Sequence, residues 1–170
     1  MPNAVQMIRR DHKKVEGLFK KFDQAKKNDA KKRIADQVIQ ELEVHAKLEE
    51  EIFYPAIRKE LGEEEMLDEA KKEHQRAKEI MHELKTMNGE DEELEEKFSE
   101  LVECIKHHVE EEEGEMLPKA EESEMDLADY GEQMSERKEE LTGGSQTRSK
   151  SKSKRKSKAA SGRRRSRRAA

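Results

Sequence analysis

Four apolar stripes in this sequence are each interrupted, at an in-phase position, by a histidine, and two of them carry a glutamate one turn further on. Val5, Ile8, Val15, Phe19 and Phe22 step by three and four residues, and His12 fills the gap between Ile8 and Val15. Between about residues 31 and 60 the stripe runs Ile34, Val38, Leu42, His45, Glu49, Ile52 and Ala56. Between about 64 and 88 it runs Leu67, Ala70, His74, Ala77, Met81 and Leu84, and between about 91 and 117 it runs Leu94, Phe98, Leu101, Ile105, His108, Glu112 and Met116. Residues i and i+4 share one face of a helix, so this pattern turns four imidazoles and two carboxylates toward a core.

Short polar connections separate the stripes: DQAKKND at 23–29, Gly62 after Leu61, and MNGED at 87–91. Connections of this length join antiparallel neighbours, which predicts an all-α, up-down-up-down four-helix bundle. The halves repeat: His12 to His45 is 33 residues and His74 to His108 is 34. HAKLEEEIFYP and HVEEEEGEMLP each place Glu at the fourth step and Pro at the tenth, which points to a duplicated helical hairpin. Pro55 and Pro118 lack a backbone donor and are expected to kink or end their helices beyond the glutamates. A further helix, about Met125 to Leu141, carries Leu127, Tyr130, Met134 and Leu141 on one side and is expected to pack outside the bundle.

Leu, Ile, Val and Phe supply only 28 of 170 residues, so the core is thin and its periodicity must do the folding. All 41 acidic residues precede Leu141, leaving 24 Lys and Arg against them in residues 1–142, about −17 by count. Residues 143–170 hold 12 Lys and Arg, no acid and no apolar residue but alanine. They read as a disordered basic tail, residues 1–142 as the folded domain. No stretch approaches a membrane span, and the start, MPNAVQMIRRDHKK, lacks a secretory apolar run; a cytoplasmic protein without membrane association is expected. Cys104 is the single cysteine, which excludes an intramolecular disulfide and a thiolate cluster, and its place beside Ile105 reads as a small packed hydrophobe.

Buried carboxylates are costly without a positive partner, and no Lys or Arg shares these stripes at that level. Cations held by His12, His45, Glu49, His74, His108 and Glu112 would neutralise both carboxylates and use every imidazole. A His and a Glu four residues apart can serve adjacent ions, and two bridged ions lie roughly 3.5–4 Å apart. Nitrogen and oxygen donors suit iron, with manganese or zinc as alternatives, and six such ligands leave coordination positions open on a pair. The Glu-x-x-His pattern of ferritin-type sites occurs only at Glu79 and His82, off the stripe. Glu50 and Glu73 read as solvated surface charge before extra ligands, and His82 and His107 as ordinary exposed residues.

His12, His45-x-x-x-Glu49, His74 and His108-x-x-x-Glu112 together resemble the motif of hemerythrin-like HHE cation-binding domains, over roughly residues 4–118. The resemblance implies two non-haem iron ions in an antiparallel bundle, in a family whose members bind or sense iron and oxygen or handle peroxide and nitric oxide. Glu113 stands directly beside Glu112, and either can be the fourth-helix carboxylate. One turn after His74, where oxygen carriers have a second histidine, this chain has Lys78, which argues against reversible oxygen carriage. Three functions follow as expectations: a module for iron, O2 or a related small ligand, a catalase-like di-iron enzyme consuming peroxide or nitric oxide, and a protein held to DNA or RNA nonspecifically by residues 143–170.

Overall fold

The computed structural model of the protein describes residues 1–143. Residues 144–170, which carry most of the expected disordered tail, lie outside the described residues, and Gly143, assigned to that tail from sequence, instead ends the last helix.

Helix α1 (Ala4–Gln24) starts at a reciprocal cap: Asn3 accepts from the Gln6 amide at 2.9 Å and the Gln6 side chain accepts from the Asn3 amide at 3.1 Å. It leads to α2 (Asn28–Leu48), a π-helical turn (Glu49–Phe53) and α3 (Tyr54–Leu61). Gly62 closes α3 in the left-handed region at φ 83°, where its amide reaches back to Ile57 and Arg58; a side chain would resist that conformation. Next come α4 (Glu64–Thr86), α5 (Leu94–Glu111), a second π-helical turn (Glu112–Met116), α6 (Leu117–Glu122) and α7 (Leu127–Gly143). Two antiparallel hairpins result, α1 with α2–α3 and α4 with α5–α6, and α2 packs on α4.

The prolines neither end nor break the long arms. Before each one the chain inserts a residue into the helix, so the Tyr54 amide reaches Glu49 and the Leu117 amide reaches Glu112, five residues back instead of four. The widened turn gives the proline ring the room that an α-turn denies, and the helix continues. It also shifts the buried face by a residue. Phe53 and Tyr54 enter the core where the α-helical stripe placed Ile52, which is half-buried, and Leu117 joins Met116 inside.

Two apolar clusters fill the interior. One gathers Val5, Ile8, Leu48, Phe53, Ile57, Leu67 and Leu117 around the chain's first residues and α3 and α6. The other gathers Val15, Phe19, Phe22, Val38, Leu42, Leu84, Phe98 and Leu101 at the opposite end, with Phe22 stacked on Phe98 at 3.7 Å between ring centres. Ile105, expected in the core, is half-buried against this cluster together with Cys104. Helix α7 lies across the outside of α1 and α2, buries Met134 and sets Gly131 directly against the backbone of Pro2 and Asn3. It begins two residues later than the sequence suggests and runs two further. Among the described residues no helix is long and apolar enough to cross a membrane.

Candidate metal centre

Between the two apolar clusters lies a polar layer made of His12, His45, Glu49, His74, His108 and Glu112, every one of them buried. Glu49 and Glu112 are the least exposed, at 0% and 2%. The structure therefore brings together all six residues singled out from the sequence. The imidazoles come in two pairs, one from each hairpin: His12 and His45 have ring centres 5.0 Å apart, His74 and His108 4.7 Å apart.

Each carboxylate lies between the pairs. Glu49 sets Oε1 at 2.8 Å from His45 Nε2 and Oε2 at 3.1 Å from His74 Nε2. Glu112 sets Oε2 at 3.4 Å from both His12 Nε2 and His108 Nε2. Two groups of donors overlap in consequence, His12, His45, Glu49 and Glu112 in one and Glu49, His74 and His108 in the other, with all donor atoms of a group within 4.8 Å of one another.

The far ring nitrogens have their own partners. Nδ1 of His12 donates to Glu113 at 2.8 Å, of His74 to Glu50 at 2.9 Å, of His108 to Glu73 at 2.7 Å, and of His45 more weakly to Asp11 at 3.4 Å. A carboxylate only accepts, so it holds the proton on Nδ1 and turns the Nε2 lone pair inward. Sequence periodicity missed this shell. Glu50 and Glu73 are neither idle surface charges nor part of the buried layer: each orients an imidazole across a helix interface. Glu113 does the same, and Glu112 is the carboxylate in the layer. Lys78 clamps Glu50 at 2.7 Å, and Lys138 of α7 clamps Asp11 at 2.6 Å.

Tyr54 was also missed. Its buried hydroxyl donates to Glu49 Oε2 at 3.1 Å and lies 3.2 Å from His74 Nε2 and 3.4 Å from His108 Nε2. Burial, then Glu49 and Glu112, push the phenol well above its usual range, so it keeps its proton. Tyr54 is five residues after Glu49 and reaches the layer only because of the π turn; the signal for it is the proline that follows at Pro55.

Protons alone satisfy the layer poorly. Burial opposes charge on His45, yet the Glu49 carboxylate, with Asp11 behind the ring, outweighs it and lifts the imidazolium to about 10. Burial likewise opposes charge on His108, and the Glu112, Glu49 and Glu73 carboxylates that face its ring nitrogens raise it well above the ordinary value. Burial raises Glu49, and His45, His108 and His74 together drive it well below. Even so, His12 Nε2, His45 Nε2, Glu49 Oε1 and both Glu112 oxygens are buried without a hydrogen bond, and His45 and Glu49 meet as a close ion-pair contact. Buried nitrogen and oxygen donors without a thiolate fit metal cations.

Comparisons with known proteins show the family. The hemerythrin HHE cation-binding domain model matches residues 3–120. The chain belongs to the hemerythrin HHE family. Among its relatives is an uncharacterised hemerythrin-like protein of Schizosaccharomyces pombe, 32% identical over 113 residues, which are 65% of this chain and 56% of that protein. A protein of a Nostoc species named DNA nickase is 29% identical over 114 residues, 65% of this chain and 31% of that protein. The chain thus spans only about half and a third of these two relatives. The crystal structure of a hemerythrin HHE cation-binding domain-containing protein from Mycobacterium kansasii superposes with a TM-score of 0.74 over 85% of this chain and 90% of that one, at 24% identity, which shows a shared fold. This hemerythrin-type chain therefore has an antiparallel helical bundle with a buried His/Glu cluster able to hold metal cations.

Proposed function

We propose that this hemerythrin-like chain is a non-haem di-iron protein that binds or senses iron, O2 or a related small ligand, with His12, His45, Glu49, His74, His108 and Glu112 as its ligands. The observation that carries this reading is that the two donor groups overlap at Glu49, and that Glu49 and Glu112 each face one imidazole from either hairpin, where a carboxylate would serve two neighbouring ions. An iron pair held there supplies a Lewis-acidic, redox-active centre with open positions for O2, peroxide or nitric oxide. The chain's own groups do the rest. Asp11, Glu50, Glu73 and Glu113 keep the Nε2 atoms aimed inward, and Tyr54 offers a buried O–H beside Glu49. A cavity of about 450 Å³ reaches the layer between α1, α2, α4 and α5, and Val15, Phe19, Leu42, Ala77 and Met81 give it an apolar wall that suits a small uncharged ligand.

Metal analysis after reconstitution with ferrous iron tests the assignment. Two irons per chain are expected, falling to one or none in Glu49→Leu and Glu112→Leu; full iron content in both variants would overturn it.

A peroxide- or nitric-oxide-consuming activity is the second reading, supported by Lys78 standing where oxygen carriers have a histidine. Oxygen evolution from added peroxide, lost on iron removal, is its signature. Nonspecific DNA or RNA binding through the 12 Lys and Arg of residues 143–170 is compatible with either, and the name of the Nostoc relative is in keeping with it. Filter binding by the full chain and by one lacking residues 143–170 decides that question, and equal retention would end the idea.

A further inference from the structure

The segment HHVEEEE at 107–113 contains two His-x-x-x-Glu pairs in adjacent registers. His108 and Glu112 face the buried layer. His107 and Glu111 face outward, where they meet Glu73 of α4: His107 Nε2 is 3.5 Å from Glu73 Oε1 and 3.5 Å from Glu111 Oε1, and donor atoms of all three lie within 4.8 Å of one another.

Glu73 distinguishes this group from an ordinary acidic surface. Its side chain is only 10% exposed. Oε2 accepts from His108 Nδ1 at 2.7 Å, whereas Oε1, turned toward His107 and Glu111, is buried without a hydrogen bond. Among the described residues no Lys or Arg forms an ion pair with Glu73 or Glu111. A buried anionic oxygen without a donor calls for a positive partner. The spacing suits one: two ligand atoms each about 2.1 Å from an ion, at a tetrahedral angle, are separated by about 3.4 Å, longer than a good hydrogen bond.

We propose that His107, Glu73 and Glu111 form a second, outer site for a single divalent cation of the zinc, manganese or ferrous class, joined to the buried layer through Glu73. One imidazole and two carboxylates suit such ions. The outer site stands whether or not iron is what the buried layer holds.

The probe is Zn²⁺, added by equilibrium dialysis to the full, iron-reconstituted chain, with His107→Ala and Glu111→Gln compared with the parent. Both side chains are largely exposed, 64% and 48%, so neither substitution removes core packing, and a melting curve verifies the fold. The parent is expected to bind about one more zinc per chain than either variant, while all three keep the same iron content. Equal zinc counts in parent and variants would overturn the outer site. Because the readout is a difference between parent and variant, it holds even if the parent takes up no iron, a result that would instead refute the di-iron reading.

Discussion

Stripping the metal from the buried layer should lower the melting temperature by well over the few degrees of an ordinary surface change. Five side-chain atoms of the layer, His12 Nε2, His45 Nε2, Glu49 Oε1 and the two Glu112 oxygens, are buried without a hydrogen bond. Each such atom costs about 1–3 kcal/mol when nothing satisfies it. Taking the low end, because proton-sharing between the imidazoles and carboxylates relieves part of the cost, gives about 5 kcal/mol, comparable to the whole stability of an ordinary domain. For a helical body of this size 1 kcal/mol corresponds to about 3–4 °C, so the shift should be about 15–20 °C. Ligand binding energy is folding energy when the unfolded chain has no preformed site. The assay is circular dichroism melting of chelator-treated and iron-loaded protein in one buffer, checked by calorimetry. Coincident melting curves would refute the reasoning, since a layer that is equally stable empty of cations is satisfied by its own protons.

Other perturbations test separate parts of the argument. Tyr54→Phe removes one hydroxyl from the layer and should cost only about 0.5–1.5 kcal/mol of stability in urea unfolding, yet alter the near-ultraviolet and visible absorption of the iron-loaded protein; an unchanged spectrum would place the hydroxyl outside the metal's influence. Gly131→Ala should destabilise despite the roughly 1 kcal/mol that alanine adds to a helix interior, because its Cβ would sit 2.6 Å from the Pro2 carbonyl oxygen and only α7 can give way; overpacking of this kind costs about 1–3 kcal/mol, and a raised urea midpoint would count against the docking of α7. For metal-free protein the pH dependence follows from His45, whose folded-state value is raised from 6.5 to about 10. Its contribution is full below the unfolded value and disappears as pH rises toward 10, so metal-free melting temperatures should fall over that window while those of the loaded form, whose imidazoles carry no Nε2 proton, should not. Parallel trends in the two forms would show that His45 is not the group lost.

Much of the site was legible in the sequence because helical phase is local. His12, His45, Glu49, His74, His108 and Glu112 sit where Leu or Ile would otherwise continue a stripe, and polar residues at core positions are rare enough to need a reason. The same local logic identified four antiparallel arms and a fifth helix. Choosing between Glu112 and Glu113 needed the fold: in an α-helix neighbouring residues differ by about 100° in direction, and a π turn begins at that point, so pattern alone left both open. The partners of the outer nitrogens were beyond reach for a different reason. Asp11, Glu50, Glu73 and Glu113 are indistinguishable in sequence from the other acidic residues of this charged chain, and only the contacts of α1 with α2, of α4 with α5, and of the two π-helical turns with α4 and α1 bring each to an imidazole of a neighbour. Tyr54 combines both limits: one inserted residue, tolerated because Pro55 cannot complete an α-helical turn, rotates it from the edge of the stripe onto Glu49. Periodicity along the chain determined which side chains turn inward; which atoms meet there, and what holds them in place, was decided by contacts between helices far apart in sequence.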